Sequence, residues 1–286
     1  MIDTQVFARH RRLLFDVAYR MTGSVADAED ILQEAWLRCR DVDGDEIANP
    51  RAYLVKTVTN LSLNQLTSAR SRRETYVGPW LPEPVLTAPD AGQEAEMAES
   101  ISMAMLVVLE SLTPVERAIF LLHDVFGYNH AEIATILDRS EVAVRQTAAR
   151  ARAHVAARRP RFDVDQEVRQ EAVDRFRQAC AGGDLNAMME ILAPEVICWS
   201  DGGGKVTAAR RPLEGAGNVA RWLLAVFAKP ETQSTHLMIT DINGGPGILG
   251  LVDGRPTGAI CFDFDGERIT GIRMQGNPDK LRGLTR

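Results

Sequence analysis

The sequence predicts a multidomain chain: two all-α domains, the second with a helix-turn-helix, followed by an α+β domain. Three observations lead there. Apolar residues recur at helical spacing as far as about residue 158. A proline- and glycine-rich stretch, GPWLPEPVLTAPDAG, interrupts them, and beyond Val196 the pattern turns to strand-like runs broken by Asp-Gly and Gly-Gly turns. At 286 residues the chain is also too long for one module of ordinary size.

The first domain is expected over residues 1–74. Ser24 can cap a helix whose inward positions are Val25, Ala28, Ile31, Leu32 and Ala35. Asn49-Pro50 supplies a cap followed by proline at the first helical position, and that helix runs to about Arg70 with Leu54, Val58 and Leu61 inward. Residues 75–100 are expected to be a linker, because their prolines and glycines break regular structure. The second helical domain, residues 101–160, opens on an apolar run and then Thr113-Pro114-Val115-Glu116, a capping box. Residues 161–286 begin with two amphipathic helices joined at Gly182-Gly183-Asp184. The strand-like runs VICWS, THLMITDI, GILGLV, TGAICFDF and RITGIRM follow.

The net charge of −6 argues at first against a nucleic-acid partner, since neutralising phosphates is the main source of affinity for DNA. The distribution of charge decides otherwise. From Arg51 to Arg73 the chain carries Arg51, Lys56, Arg70, Arg72 and Arg73 with no acid, and from Arg139 to Arg161 it carries seven arginines against Glu141 alone. No run of eighteen apolar residues occurs and charges interrupt the N-terminal apolar positions, so no membrane span or secretory signal is expected. The protein is expected in the cytoplasm. Its cysteines, Cys39, Cys180, Cys198 and Cys261, lie far apart without ligand spacing, which predicts reduced thiols, no metal and no cofactor.

The strongest local pattern lies between Asn129 and His154. Asn129, with Glu132 three positions on, caps the short helix HAEIATIL; Asp138-Arg139-Ser140 is a three-residue turn; a longer helix starts at Glu141. In that second helix Val144, Ala148, Ala151 and Val155 share the inward face, which turns Glu141, Arg145, Gln146, Ala149, Arg150 and Arg152 outward. A helix entering the major groove needs such a face, with Arg145 and Gln146 best placed for base edges. In the first domain, the helix after Ser24 turns out Asp27, Glu29, Asp30, Gln33 and Glu34 beside Trp36 and Leu37, a face suited to a protein partner with a basic surface. The helix after Asn49 turns Lys56, Asn60, Asn64 and Thr67 to one side, suited to a nucleic-acid backbone and unpaired bases.

In order and spacing, GSVADAEDILQEAWLR, NPRAYLVKTVTNLSLNQLTSARSRRE and LESLTPVERAIFLLHDVFGYNHAEIATILDRSEVAVRQTAARARAHV resemble conserved regions two and four of RNA polymerase sigma factors of the extracytoplasmic-function (ECF) type. The resemblance implies that Asp27, Asp30, Gln33, Glu34, Trp36 and Leu37 dock on the clamp helices of the largest subunit of core RNA polymerase. It implies further that the loop from Arg40 to Asn49, with Arg51, Lys56, Asn60, Asn64 and Arg70, holds the melted −10 element of promoter DNA. Ser140, Glu141, Val144, Arg145, Gln146, Ala149, Arg150 and Arg152 are implied to contact the −35 element. The loop RDVDGDEIA is unusually acidic for a DNA-facing segment.

The remainder resembles SnoaL-like domains, cone-shaped α+β folds with a pocket between sheet and helices. Three short motifs are similar to those of ECF sigma factors with a fused SnoaL-like extension. They are Trp80-Leu81-Pro82-Glu83-Pro84 in the linker, Asp201-Gly202-Gly203-Gly204-Lys205 after the first strand, and Asn277-Pro278-Asp279-Lys280-Leu281 near the end. The resemblance implies that these residues make regulatory contacts in cis, and an unidentified small molecule in the pocket is a further candidate partner. Two other readings stay open: a one-component regulator that senses a metabolite, and an isomerase or cyclase fused to a DNA-binding module. Asp201, His236, Asp241 and Asp263 are the candidate catalytic groups for the latter, but nothing in the sequence assembles them, and the chain is expected not to be an enzyme.

Overall fold

A computed structural model describes residues 4–40, 47, 49–87, 102–158 and 165–284. The chain forms two compact units, Met1–Thr75 with Leu106–Arg159 and Tyr76–Met105 with Pro160–Arg286. Most of the acidic loop between Arg40 and Asn49, the side chain of Arg70, and residues 88–101 lie outside the described residues.

The helical unit opens with α1 (Thr4–Thr22), α2 (Val25–Arg40) and α3 (Pro50–Glu74). Ser24 does cap α2, its Oγ accepting from the Asp27 amide at 3.1 Å, and Asn49 Oδ1 accepts from the Ala52 amide at the start of α3. The three helices share a core of Leu14, Val17, Ala18, Ala28, Ile31, Leu32, Ala35, Leu54, Val55 and Val58. Helix α4 (Met103–Glu110) leads to α5 (Pro114–Phe120), where Thr113 and Glu116 form the full capping box. Helix α5 runs on as one π-helical turn, Leu121–Val125. Next come α6 (His130–Leu137), with a second capping box from Asn129 and Glu132, and α7 (Glu141–Ala156), capped by Ser140.

In the C-terminal unit, α8 (Gln166–Gly182) and α9 (Leu185–Ile191) are separated by Gly183, whose φ of 65° ends α8 in the left-handed region, and by Asp184, which caps α9. The strands are β1 (Leu192–Asp201), β2 (Leu213–Glu214), β3 (His236–Ile242), β4 (Gly245–Val252), β5 (Arg255–Asp265) and β6 (Arg268–Gln275). Their order in the sheet is β2-β1-β6-β5-β4-β3, with only the β1–β6 pair parallel. Between β2 and β3 lie α10 (Ala216–Phe227) and the single turn α11 (Pro230–Gln233). Helix α10 went unread in the sequence, although Ala216, Val219, Ala220 and Leu223 recur at helical spacing and are all buried.

Alternation along the strands gives the sheet two apolar faces. One packs against α8, α9 and α10: Cys198, Ile248, Ile260 and Ile272 meet Phe176, Cys180, Met188, Val219 and Leu223. The residues next along β4 and β5, Leu249, Ala259 and Cys261, belong to a second cluster with Ile242, Met103, Leu281 and Leu284, against which Leu86 also packs. The sheet is therefore covered on its second face by the segment after α3 and by the C-terminal turns.

Candidate nucleic-acid interface and linker seat

The helix-turn-helix is set by local chemistry. Asp138 ends α6 at φ 52°, and Ser140 Oγ accepts from the Ala143 amide at 3.3 Å to start α7. Val144, Ala148, Ala151 and Val155 are buried, which leaves Val142, Arg145, Gln146, Ala149, Arg150 and Arg152 exposed on the opposite side. One residue of the −35 set needs correction: Val144 is fully buried in the inward face and cannot reach a base, because it lies on the helical repeat that packs α7 onto the domain. Arg145 pairs with Glu141 one turn earlier. The Arg152 guanidinium donates from Nε to Asp124 Oδ1 at 2.6 Å and lies 3.1 Å from the His123 ring, so the π-helical turn holds it in place.

Of the polymerase-facing set on α2, Asp30, Gln33 and Leu37 are exposed and Glu34 is partly so, paired with Arg38 at 2.7 Å. Asp27 accepts from Gln65 Nε2 at 2.6 Å, and Trp36 meets the Phe7 ring edge-on at 5.3 Å. Those two therefore brace the domain as well as border the face. On α3, Asn60 and Asn64 are exposed. Lys56 Nζ, in contrast, donates to the Thr135 carbonyl of α6 at 3.1 Å, and the Arg51 guanidinium lies 5.6 Å from the Tyr128 ring centre. The two helical halves are joined below this surface by arginines that sequence reasoning passed over. Arg117 of α5 donates to the Met21 carbonyl, an orphan acceptor at the end of α1, at 2.5 Å and to Glu110 at 2.7 Å. Burial pushes the Arg117 guanidinium down to about 10, so it stays charged at neutral pH. Arg20 is 1% exposed, lies 5.1 Å from the Phe126 ring centre, and its Nε and Nη1 have no hydrogen-bond partner among the described residues.

In the C-terminal unit the three motifs and the segment after α3 meet around Asp201, which is wholly buried. Its Oδ2 accepts from the Leu81 amide at 2.9 Å and from Lys280 Nζ at 2.7 Å; its Oδ1 accepts from the Tyr76 hydroxyl at 2.6 Å and the Gly203 amide at 3.0 Å. Lys280 also donates to the Leu81 carbonyl at 2.6 Å and lies 4.2 Å from the Trp80 ring centre and 4.8 Å from that of Tyr76, so its ammonium sits in a cage of two rings and two oxygens. Gln275 Nε2 reaches the Pro82 carbonyl at 3.3 Å, and Asn277 Nδ2 donates to the Tyr76 hydroxyl at 2.8 Å. Gly203 is required here, since at φ 58° a Cβ would stand 2.2 Å from Asn277 Nδ2. Lys205 pairs with Asp279 at the rim. Farther along, Val85 and Asn243 exchange two hydrogen bonds, and the Thr87 amide donates to the Asp241 carbonyl at 3.0 Å. Burial raises the Tyr76 hydroxyl above its ordinary value, and its bond to the Asp201 carboxylate adds to this. Tyr76, Gln275 and Asn243 were missed in the sequence; a second aromatic residue four positions before Trp80 in the same linker was the available signal for the first of them.

The candidate catalytic groups do not converge. Asp201 is consumed in the linker seat and Asp263 pairs with Arg273, while His236 is exposed on the edge strand β3, separated from β1 by β6, β5 and β4.

An acidic helix, a basic helix rich in amides and a doubly capped helix-turn-helix together define the helical part of a sigma-70-type initiation factor. Family models agree: Sigma-70 region 2 matches residues 6–72 and Sigma-70, region 4 matches residues 102–155. The chain is 39% identical to the ECF RNA polymerase sigma factor SigJ of Mycobacterium tuberculosis over an alignment of 309 residues that covers 99% of this chain and 94% of the relative. The crystal structure of Mycobacterium tuberculosis SigJ is similar throughout, with a TM-score of 0.78 at 37% identity, covering 98% of this chain and 99% of that one. The chain belongs to the ECF RNA polymerase sigma factors, and its function is to direct transcription initiation at promoters. Its C-terminal unit is the mixed-sheet α+β domain that accompanies the helical unit in this architecture.

Proposed function

We propose that this sigma factor binds core polymerase through the exposed face of α2, holds the −10 strand with α3, reads the −35 element with α7, and is regulated in cis by its C-terminal unit. The observation that carries the regulatory part is the seat around Asp201. Residues 76–87 belong to the chain between region 2 and region 4, and they are held by Asp201 and Lys280 at Leu81 and by Asn243 at Val85. Seating them constrains the path of the chain between the two DNA-reading regions. A tethered contact of this kind works at roughly millimolar effective concentration, so even a weak seat is well populated. Polymerase has to compete with it.

Run-off transcription by the full chain with core enzyme and genomic promoter fragments tests this. Trp80→Ala and Asp201→Ala, which break one seat from its two sides, are expected to shift promoter output in the same direction. Output equal to that of the parent in both would reject regulation through this segment.

The polymerase and promoter surfaces carry expectations of their own. Asp30→Arg with Glu34→Arg should weaken capture of the core enzyme at least tenfold while leaving the melting temperature nearly unchanged, because both side chains are on the outer face and like charge would meet a basic surface. Unaltered capture would remove α2 from the interface. Arg145→Ala should cost about 1–3 kcal/mol and relax preference at one or two −35 positions, measured by competition binding with base-pair variants.

We assign no enzymatic reaction to the C-terminal unit. The side of its sheet facing the helices is packed with Phe176, Phe262, Ile248 and Ile272, and the acidic groove lined by Glu167, Gln170, Glu171, Asp174 and Ile239 brings no acid–base pair to an apolar pocket. Working with polymerase places the protein in the cytoplasm. Among the described residues no helix is long and apolar enough to cross a membrane.

A further inference from the structure

Val142, the second residue of α7, is 64% exposed, more than any other large apolar side chain that stands out from the described surface. A lone exposed valine is ordinary on a protein surface. The position of this one is not. A β-branched apolar residue in the first turn lowers helix propensity and buries little here, where an acid or a small polar residue would favour the helix start. The first turn of a recognition helix is also the part that reaches base edges. The major groove offers one apolar feature to such a side chain, the C5-methyl group of thymine.

The neighbours of Val142 fit that use. Glu141 and Arg145 pair along one flank, and Gln146, one turn on and exposed, shares the Val142 stripe. Glutamine matches the N6 and N7 edge of adenine, and an A·T pair shows that edge on one strand and the thymine methyl on the other. A valine and a glutamine four positions apart thus complement one A·T pair or one step containing it. We infer that Val142 reads a thymine methyl in the −35 element and is a specificity-determining residue of this sigma factor. This rests on the reading of α7 given above.

The test uses the full chain with core polymerase on a promoter duplex recovered by run-off transcription. Each thymine of the −35 element is replaced in turn by uracil, which removes the methyl group and nothing else. At one position uracil should lower the affinity of the parent about fourfold, the effect of one buried methyl. In Val142→Ala the same replacement should have no effect, whereas Val142→Ile should keep it. Val142→Ala should fold as the parent does, since the side chain packs against little. Uracil tolerated at every position by the parent, or equal sensitivity in Val142→Ala, overturns the inference. Base-pair transversions in the same element separate the two levels: if they weaken binding while uracil does not, Val142 alone is misassigned, and if they too are tolerated, α7 does not read this element.

Discussion

Asp201→Ala is expected to destabilise the C-terminal unit by about 3–5 kcal/mol, the cost of breaking a buried ion pair from one side. Five groups lose an acceptor at once: the Lys280 ammonium, the Leu81 amide, the Tyr76 hydroxyl, the Gly203 amide and the Gln275 side-chain amide. Lys280 is 8% exposed, and the Leu81 carbonyl and two aromatic faces replace a carboxylate poorly as partners of a buried cation. Calorimetry should show the transition of this unit lowered by roughly 10 °C. Asp201→Asn retains an acceptor without the charge and should fall between parent and Ala. Pairing Asp201→Ala with Lys280→Met removes the stranded ammonium and should recover part of the loss, which a purely steric defect would not allow. Hydrogen exchange should show the Leu81 amide unprotected in Asp201→Ala. A transition within 2 °C of the parent, with Leu81 still protected, would mean that Asp201 is not the centre of the seat.

The parts of this molecule that could be read from sequence are those fixed within a few residues. Thr113 with Glu116, Asn129 with Glu132, and Ser140 with the Ala143 amide are all contacts across three positions, and each is visible as a residue pattern. The alternation of β5 was visible for the same reason, because Ala259 and Cys261 face one way and Ile260 and Phe262 the other. What could not be read depends on distant partners. Tyr76 and Asp201 are 125 residues apart, and Asn277 is 201 from Tyr76, so no local signal marks them as one cluster. Arg117, in the middle of a polar motif, reads as surface until the Met21 carbonyl, 96 residues away, is brought to it. Helical phase is also finer than pattern reading resolves. Val144 and Val142 are two positions apart and chemically identical, yet one is fully buried and the other is largely exposed.

Arg117→Met is expected to cost the helical unit about 3 kcal/mol, at the lower end for a broken buried pair because Glu110 keeps 20% of its side chain exposed. Two losses add. The Met21 carbonyl, among the last four acceptors of α1, is left without the Arg117 donor, worth about 1 kcal/mol, and the Glu110 carboxylate loses its cation. Arg117→Lys should recover part of the loss, since both acceptors are held by the one nitrogen Nη1, whose place an ammonium can take in part. Adding Glu110→Leu to Arg117→Met should recover the carboxylate part and leave the carbonyl part, so urea midpoints for the single and double variants should differ by about 2 kcal/mol in stability. The same bond ties region 4 to the end of α1, and the contacts of Lys56 with Thr135 and Arg51 with Tyr128 depend on the two halves staying packed. Loosening the joint should therefore raise hydrogen exchange around Thr135 and Tyr128 well before global unfolding, as expected when a sub-global unit opens below the full unfolding free energy. Equal exchange at those positions in parent and Arg117→Met, with an unchanged urea midpoint, would show that the buried arginine is not what holds the helical halves together.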